Sequence, residues 1–452
     1  MITSSLADFA ATLKPAALPA AVIERTKLLM LDCIGNIIRA RQDAESTPAL
    51  LKTMTALGLD IGTARVFGDT KTYGPAGAVL LNATLAHSLD FDDTHAAAIV
   101  HAAAPVIPAA LGAAELVDAN GADLIAAIVA GYEVALRVAL ALPAGAHYDR
   151  GFHPSATCGV FGAAAAAGRI FGLNTAQMAN AFGIALSQSA GSLQFLSNGA
   201  WTKRFQVGWA GMAGFVAATL AREGFIGAAD PIEGRHGFLN LYAPNPIPDR
   251  VVQDLGTVWE IMNMGVKPYP SCRWAHAGID AALALQAEHK LKSQEIEAVT
   301  LGISRAGMLL VGAPAAKKAN PQNIVDAQFS GPFVIANALL FGDMNWDSYQ
   351  HLRNPEVTSL MARIRCENDP DIEAEFPANM SGKITIKAGG RLLSKKVIVP
   401  KGDPENFPDH DALLAKFNNL ARPVIGDEQS RHLSEMIAKA DHLKSASLLF
   451  SS

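Results

Sequence analysis

The segment Asp90-Phe91-Asp92-Asp93-Thr94-His95, followed by His101, places three carboxylates within four residues and sets imidazoles beside them. Read as the end of a helix over Gly77–Asp90 that persists onward, it puts Asp90 and Thr94 on one face at i,i+4 spacing, with Asp93 alongside. Negative charge at a helix C-terminus is unfavourable, because the carbonyl end of the macrodipole is itself negative. Three reasons for the cluster stand open at this point. The carboxylates cap the next turn in water, hold Mg²⁺ through a diphosphate, or orient and tune a histidine.

Basic side chains recur at predicted helix starts. His101 precedes a helix from Pro105, and His153 precedes Pro154, which suits a first helical position and puts His153 at the N-cap. Lys203-Arg204 stands before a helix over Gln206–Glu223. His276 falls in the first turns of a helix opened by Ser271, after Lys267-Pro268-Tyr269-Pro270. Helix N-termini favour anions, so a cation there weakens the helix taken alone. Any single histidine at a helix start is more often a surface or hydrogen-bonded side chain than a catalyst. Four such positions together shift the balance, and convergence on an anionic substrate would explain the repetition. Gly151, Gly159 and Gly162 near His153, and Gly208, Gly211 and Gly214 after Lys203, allow either close helix packing or room for a substrate.

These residue types suit a small substrate with two or three carboxylates. Removing a proton next to a carboxylate builds an enediolate-like dianion, and fixed positive groups lower that barrier. A histidine near its natural pKa can take the carbon-bound proton or return one to a leaving hydroxyl, each transfer bringing roughly 10²–10⁴-fold. The candidate catalytic set is Asp90, His101, His153, Lys203 and His276; the candidate substrate-binding set is Thr94, Lys267, Arg204, Arg273 and Tyr148. Dehydration, decarboxylation and epimerisation can all pass through that carbanion. The residues name the intermediate better than the product.

The elements that must position them are mostly helical. Apolar residues at three- and four-residue spacing predict helices over 21–38, 77–90, 105–117, 122–142, 154–171, 175–189 and 206–223. After Pro268 the pattern changes. Ile296–Ile303 alternates like a strand, and 383–386 and 392–399 flank Ala388-Gly389-Gly390, a hairpin signal. A helix is expected over 324–341, and two more over 411–420 and 427–440. The fold class is therefore mainly α: a large all-helical domain (1–267 and 403–452) with an inserted smaller α+β lid domain (268–402).

Composition narrows the function classes. Of 452 residues, 50% are hydrophobic and 17% charged, which implies large buried surfaces, a subunit interface among them. The net charge of −5 carries no basic cluster for nucleic acid. The apolar stretches 102–117 and 122–146 contain prolines or charges and fail as membrane spans. No Walker A or strand-linked GxGxxG supports a nucleotide site. The start lacks a signal-peptide pattern, and four well-spaced cysteines without a CxxC pair fit reduced thiols, so a cytoplasmic protein without a zinc ribbon or a local iron–sulfur loop is expected. From other classes, an isoprenoid-type helical enzyme lacks a second metal motif, and a non-catalytic binding protein would keep its function in Lys203→Ala and His153→Ala.

The order of four motifs carries a resemblance. His87-Ser88-Leu89-Asp90-Phe91-Asp92-Asp93-Thr94-His95, Gly151-Phe152-His153-Pro154-Ser155, Trp201-Thr202-Lys203-Arg204 and Lys267-Pro268-Tyr269-Pro270-Ser271-Cys272 resemble successive signatures of the MmgE/PrpD family, over nearly the whole chain. That family contains 2-methylcitrate dehydratase, cis-aconitate decarboxylase and iminodisuccinate epimerase. The resemblance implies a cofactor-independent lyase, in first place a 2-methylcitrate dehydratase-like hydro-lyase, with an imino- or aminodicarboxylate epimerase and a cis-aconitate decarboxylase-like enzyme as alternatives. It also implies a homodimer, and active-site roles for Asp90, Thr94, His101, His153, Lys203, Lys267 and His276. Three positions depart from the family pattern: Ala102-Ala103 where Pro-Ser is usual, Gln206 where a histidine is common, and Phe333 where a tyrosine is frequent.

Overall fold

The computed structural model describes residues 1–450 and is mainly α. The chain forms two compact units, Met1–Gly265 with Asp409–Ser452, and Val266–Pro408.

The first unit is built of helices rich in alanine and glycine. Ala20–Asp43, Pro75–Ala86, Ala103–Val117, Gly121–Leu140, Gly159–Ile170 and Thr202–Arg222 pack around one another, several of them buried on nearly every side. Small residues set the spacing. A Cβ on Gly162 would stand 2.6 Å from the Gly131 carbonyl oxygen, and one on Gly214 would stand 2.5 Å from that of Val160. Gly208 meets Thr84, Gly211 meets Pro105 and Ala83, and Gly159 meets Pro105. The glycines after Lys203 therefore serve close helix packing, as do two of the three around His153; Gly151, at φ 87°, faces open space.

Several predicted boundaries shift. The Gly77–Asp90 pattern is helical only over Pro75–Ala86; His87 caps it, and Asp90 has a left-handed φ of 54°. Asp90 and Thr94 thus share no helix face, and the chain leaves the helix before its carbonyl end meets the carboxylates. The 154–171 pattern breaks at Cys158 into Pro154–Thr157 and Gly159–Ile170. Nor is this unit wholly helical, since Ala64–Arg65 and Thr72–Tyr73 pair as a short antiparallel ladder. The C-terminal His410–Ala438 helix is kinked at Gly426 (φ 81°), where the sequence pattern leaves a gap between two helices.

The second unit carries a four-stranded sheet in the order Ile364–Asn368, Ile296–Ile303, Gly382–Ala388, Arg391–Val397. The first pair is parallel and the others antiparallel. Ile296, Val299, Leu301 and Ile303 are buried, which explains the strand pattern at the centre of the sheet. Gly389 and Gly390, both at positive φ, close the hairpin as a two-residue turn requires. The 324–341 pattern is interrupted at Ser330, whose side chain caps Gly331–Phe341.

Candidate active site

After the Pro75–Ala86 helix the chain turns through Ser88 and Leu89 into the acidic segment, whose members are buried rather than solvated. Asp92 and Asp93 are fully inaccessible and Asp90 nearly so. Asp93 accepts from the Ala103 N–H at 3.1 Å, at the start of the Ala103–Val117 helix, and from Tyr132 Oη at 2.9 Å. Burial, and next the Asp92 carboxylate, push Asp93 well above the ordinary carboxylate range, against the pull of those two bonds. Its role is thus a helix-start contact made in the interior, where the sequence left a solvated cap open. Between them, the Phe91 carbonyl accepts from Lys416 Nζ at 2.7 Å and from Asn36 Nδ2 at 3.3 Å. Lys416 also lies over the Phe91 ring, 3.6 Å from its centroid, and pairs with Asp32 at 2.5 Å. The turn bearing Asp90 and Asp92 is therefore held by helices from both ends of the chain.

Three histidines gather beside this turn. His87 Nδ1–H donates to Asp92 Oδ2 at 2.6 Å, and the His87 ring lies 4.9 Å from that of His101 and 5.8 Å from that of His153. His101 Nδ1–H donates to the Asp93 carbonyl at 2.6 Å, with Thr94 Oγ1 at 3.2 Å from the same nitrogen. His153 is the N-cap of Pro154–Thr157, and its Nδ1 accepts from Gln206 Nε2 at 2.8 Å. Burial holds His87 below the usual histidine value, Lys203 adding to the effect and Asp92 opposing it. Burial, then the neighbouring His87, Lys203 and His101, hold His153 well below it. Lys203, in the first turn of Thr202–Arg222, pairs with Asp90. Burial works against its charge, but the Asp90 carboxylate outweighs this and leaves the ammonium pKa raised. Arg204 is half-buried, and burial lowers it against the carboxylates of Asp90 and Glu45.

Of the sequence-predicted residues, the first unit thus brings together Asp90, Thr94, His101, His153 and Lys203, with Arg204 following in the chain. Tyr148 sits half-buried on the short helix Ala144–Asp149. Lys267, Arg273 and His276 belong to the second unit. There Lys267 is buried, and His276 opens the helix His276–His289 with Nε2 donating to the Ser271 carbonyl at 3.1 Å. The helix start lies at His276 rather than Ser271, preceded by a single 3₁₀ turn over Arg273–Ala275. Arg273, read from sequence as a carboxylate clamp, pairs with Asp403. Burial lowers its pKa to about 10.

His87, Asp92 and His101 each present a donor atom within 4.8 Å of the others, the residue types of a metal site. As placed, the His87–Asp92 pair is hydrogen-bonded, and a shared ion would require it to open. Two ligands on one ion, with bonds of about 2.0–2.1 Å at tetrahedral angles, stand about 3.3 Å apart. His87 Nδ1 and Asp92 Oδ2 are 2.6 Å apart, the separation of a shared proton.

Sequence reasoning did not assign roles to His87, Tyr132, Asn36, Lys416 or Gln206. The five-residue step from His87 to Asp92 was a usable signal once the helix is ended at Ala86. Asn36 and Lys416 gave none, because their contact lies across the fold.

A family model for the MmgE/PrpD N-terminal domain matches residues 4–250, and one for the MmgE/PrpD C-terminal domain matches residues 269–442. The chain belongs to the MmgE/PrpD family. A cis-aconitate decarboxylase-like protein of Aspergillus oryzae is 27% identical, the match covering 96% of this chain and 94% of the relative. Cis-aconitate decarboxylase of Aspergillus terreus is 25% identical over 99% and 95%, and that of Homo sapiens 26% identical over 99% and 93%. Among the described residues no helix is long and apolar enough to cross a membrane.

Proposed function

We propose that this protein is a lyase acting on a small polycarboxylate by removing a proton from the carbon next to a carboxylate, without a metal or organic cofactor. The observation that carries this reading is the cluster of three imidazoles, two of them buried and that of His101 partly exposed, beside the Lys203–Asp90 pair. It joins two imidazoles, His87 and His153, whose burial favours the neutral form, to an ammonium held charged, the combination that accepts a carbon-bound proton while stabilising a developing dianion.

Within that class the hydro-lyase reading, like 2-methylcitrate dehydratase, uses the site most fully. Elimination of water needs a base for the carbon-bound proton and an acid for the hydroxyl, and an imidazole and Lys203 supply them. A carboxy-lyase is the second reading, favoured by the names of the relatives; there the carbanion arises by loss of carbon dioxide and not by proton removal, and it needs only to be stabilised and protonated. Lys267 and His276 enter through their motif positions, as further substrate contacts. The protein works as a homodimer, a reading supported by the exposed apolar side chains Phe205, Trp209 and Val216 along the Thr202–Arg222 helix. Four free thiols support a reducing, cytoplasmic setting.

A panel of citrate-like and unsaturated di- and tricarboxylates, followed by NMR in D₂O, tests the reading. Alkene formation identifies a hydro-lyase and carbon dioxide release a carboxy-lyase, whereas exchange with inversion but no elimination identifies an epimerase and overturns the lyase reading. Absence of both turnover and exchange across the panel contradicts it.

A further inference from the structure

Gln206 is one of the chain's departures from its family pattern, and its amide is fixed at both ends. Its Oε1 accepts the Ser192 N–H at 2.9 Å, and its Nε2 donates to the Ser192 carbonyl at 3.2 Å. A backbone N–H can face only the amide oxygen and a backbone carbonyl only the amide nitrogen, so the side chain cannot be turned over. The remaining N–H of that amide points at His153 Nδ1, 2.8 Å away. Nδ1 must therefore be the bare, accepting nitrogen, and the ring proton of neutral His153 resides on Nε2.

We infer that Gln206 is a positioning residue that locks His153 as a neutral, Nε2-protonated imidazole, so that His153 serves the reaction as a hydrogen-bond donor to the developing enediolate and not as its base. A protonated His153 would set an Nδ1–H against the Gln206 N–H. The basic neighbours His87, His101 and Lys203 act in the same sense, and the Asp92 carboxylate opposes them. Phe195 closes another side edge-on, at 5.6 Å between ring centroids. Among the described residues Nε2 meets no protein partner, which leaves its proton for a substrate oxygen.

Proton abstraction then falls to an imidazole of the opposite tautomer. His87 and His101 both carry their ring proton on Nδ1, toward Asp92 and the Asp93 carbonyl. The His87 side chain is fully buried, whereas that of His101 is 14% exposed, so His101 Nε2 is the base. In the step, the His101 Nε2 lone pair takes the carbon-bound proton and becomes imidazolium. The C–H electron pair passes into the enediolate, and His153 keeps its proton while bonding to the new negative charge.

This assignment rests on the proton-abstraction reading above, and the experiment separates the two. Protein labelled with ¹⁵N in its histidine rings, with His153 assigned by loss of its signals in His153→Asn, reports the tautomer without any substrate. The expected result is a protonated Nε2 and a bare Nδ1 that persist through the ordinary histidine range, about pH 6.5. In Gln206→Glu the carboxylate accepts from Nδ1, so the ring proton moves there, the ring titrates within that range, and the kcat–pH profile gains an ionisation. Gln206→Met lowers kcat about tenfold with KM changed less than about threefold, as loss of a donor aligned only for the transition state requires. A wild-type His153 protonated on Nδ1, or a Gln206→Glu profile that overlays the wild type, overturns the assignment. Wild-type protein with the expected tautomer but no turnover of any polycarboxylate contradicts the proposed reaction and leaves the Gln206–His153 lock standing.

Discussion

Lys203 shows how much of this site depends on single side chains. Its ammonium is stabilised by Asp90, and Asp90 is available because it occupies a left-handed backbone position just outside a helix. Lys203→Ala is expected to lower kcat/KM by roughly 10²–10³-fold, the usual scale for removing one preorganised charge partner of an oxyanion, while steady-state assays with the accepted polycarboxylate check the size. Buried histidines also predict a pH response of stability. Burial lowers the pKa of His87, His147 and His153 in the folded protein, so the unfolded chain binds their protons more readily. For a histidine depressed in this way, stability is complete above the unfolded value near about 6.5 and is lost as the pH falls below it. Thermal midpoints should therefore drop between about pH 7 and 5. His147, whose two nitrogens meet the Tyr242 carbonyl and Thr157 Oγ1, lies apart from the reacting groups, and His147→Gln should reduce the drop.

At the level of elements, close packing of helices makes the site rigid. A Cβ on Gly208 would stand 1.9 Å from Thr84 Oγ1 and 2.9 Å from the Thr84 nitrogen, so Gly208→Ala must push the Thr202–Arg222 helix away from Pro75–Ala86. Overpacking of this kind costs about 1–3 kcal/mol, and denaturant titration should show it with a loss of activity, since Lys203 and Gln206 ride on that helix. Lys416 makes a second test. Lys416→Met leaves Asp32 buried without its ammonium partner, which should cost about 3–5 kcal/mol in chemical denaturation, and the double change Asp32→Asn/Lys416→Met should recover most of it. Elements were also where the sequence was most and least readable. Ile296–Ile303 matched its strand to the residue, because a central strand is marked by buried apolar side chains. Ile364–Asn368 was missed: it is short and mostly polar, and only its parallel partner makes it a strand. The helix read through to Asp90 ended at Ala86, since spacing alone carries no sign of a cluster of carboxylates turning inward. The family motifs supplied most of the candidate site, but the residues that orient it came from distant positions. Lys416 lies 325 residues from the carbonyl it holds, and no local pattern can announce such a pair.

At the scale of the whole molecule, the first unit is completed by the chain's C-terminal helix, so both ends of the sequence contribute to positioning one acidic turn. The apolar stripe on Thr202–Arg222 predicts self-association: sedimentation velocity should give a dimer, and Phe205→Ser/Trp209→Ser should give a monomer that keeps its helical signal. The central claim is proton removal from the carbon next to a carboxylate, and solvent exchange reads that step before any product is named. Purified protein, treated with EDTA and incubated in D₂O with the polycarboxylate panel, is predicted to place deuterium at that carbon of at least one substrate, with the Lys203→Ala protein slowed in proportion to its loss of turnover. Failure of deuterium to enter any of them, or exchange that persists unchanged in Lys203→Ala, would contradict the account.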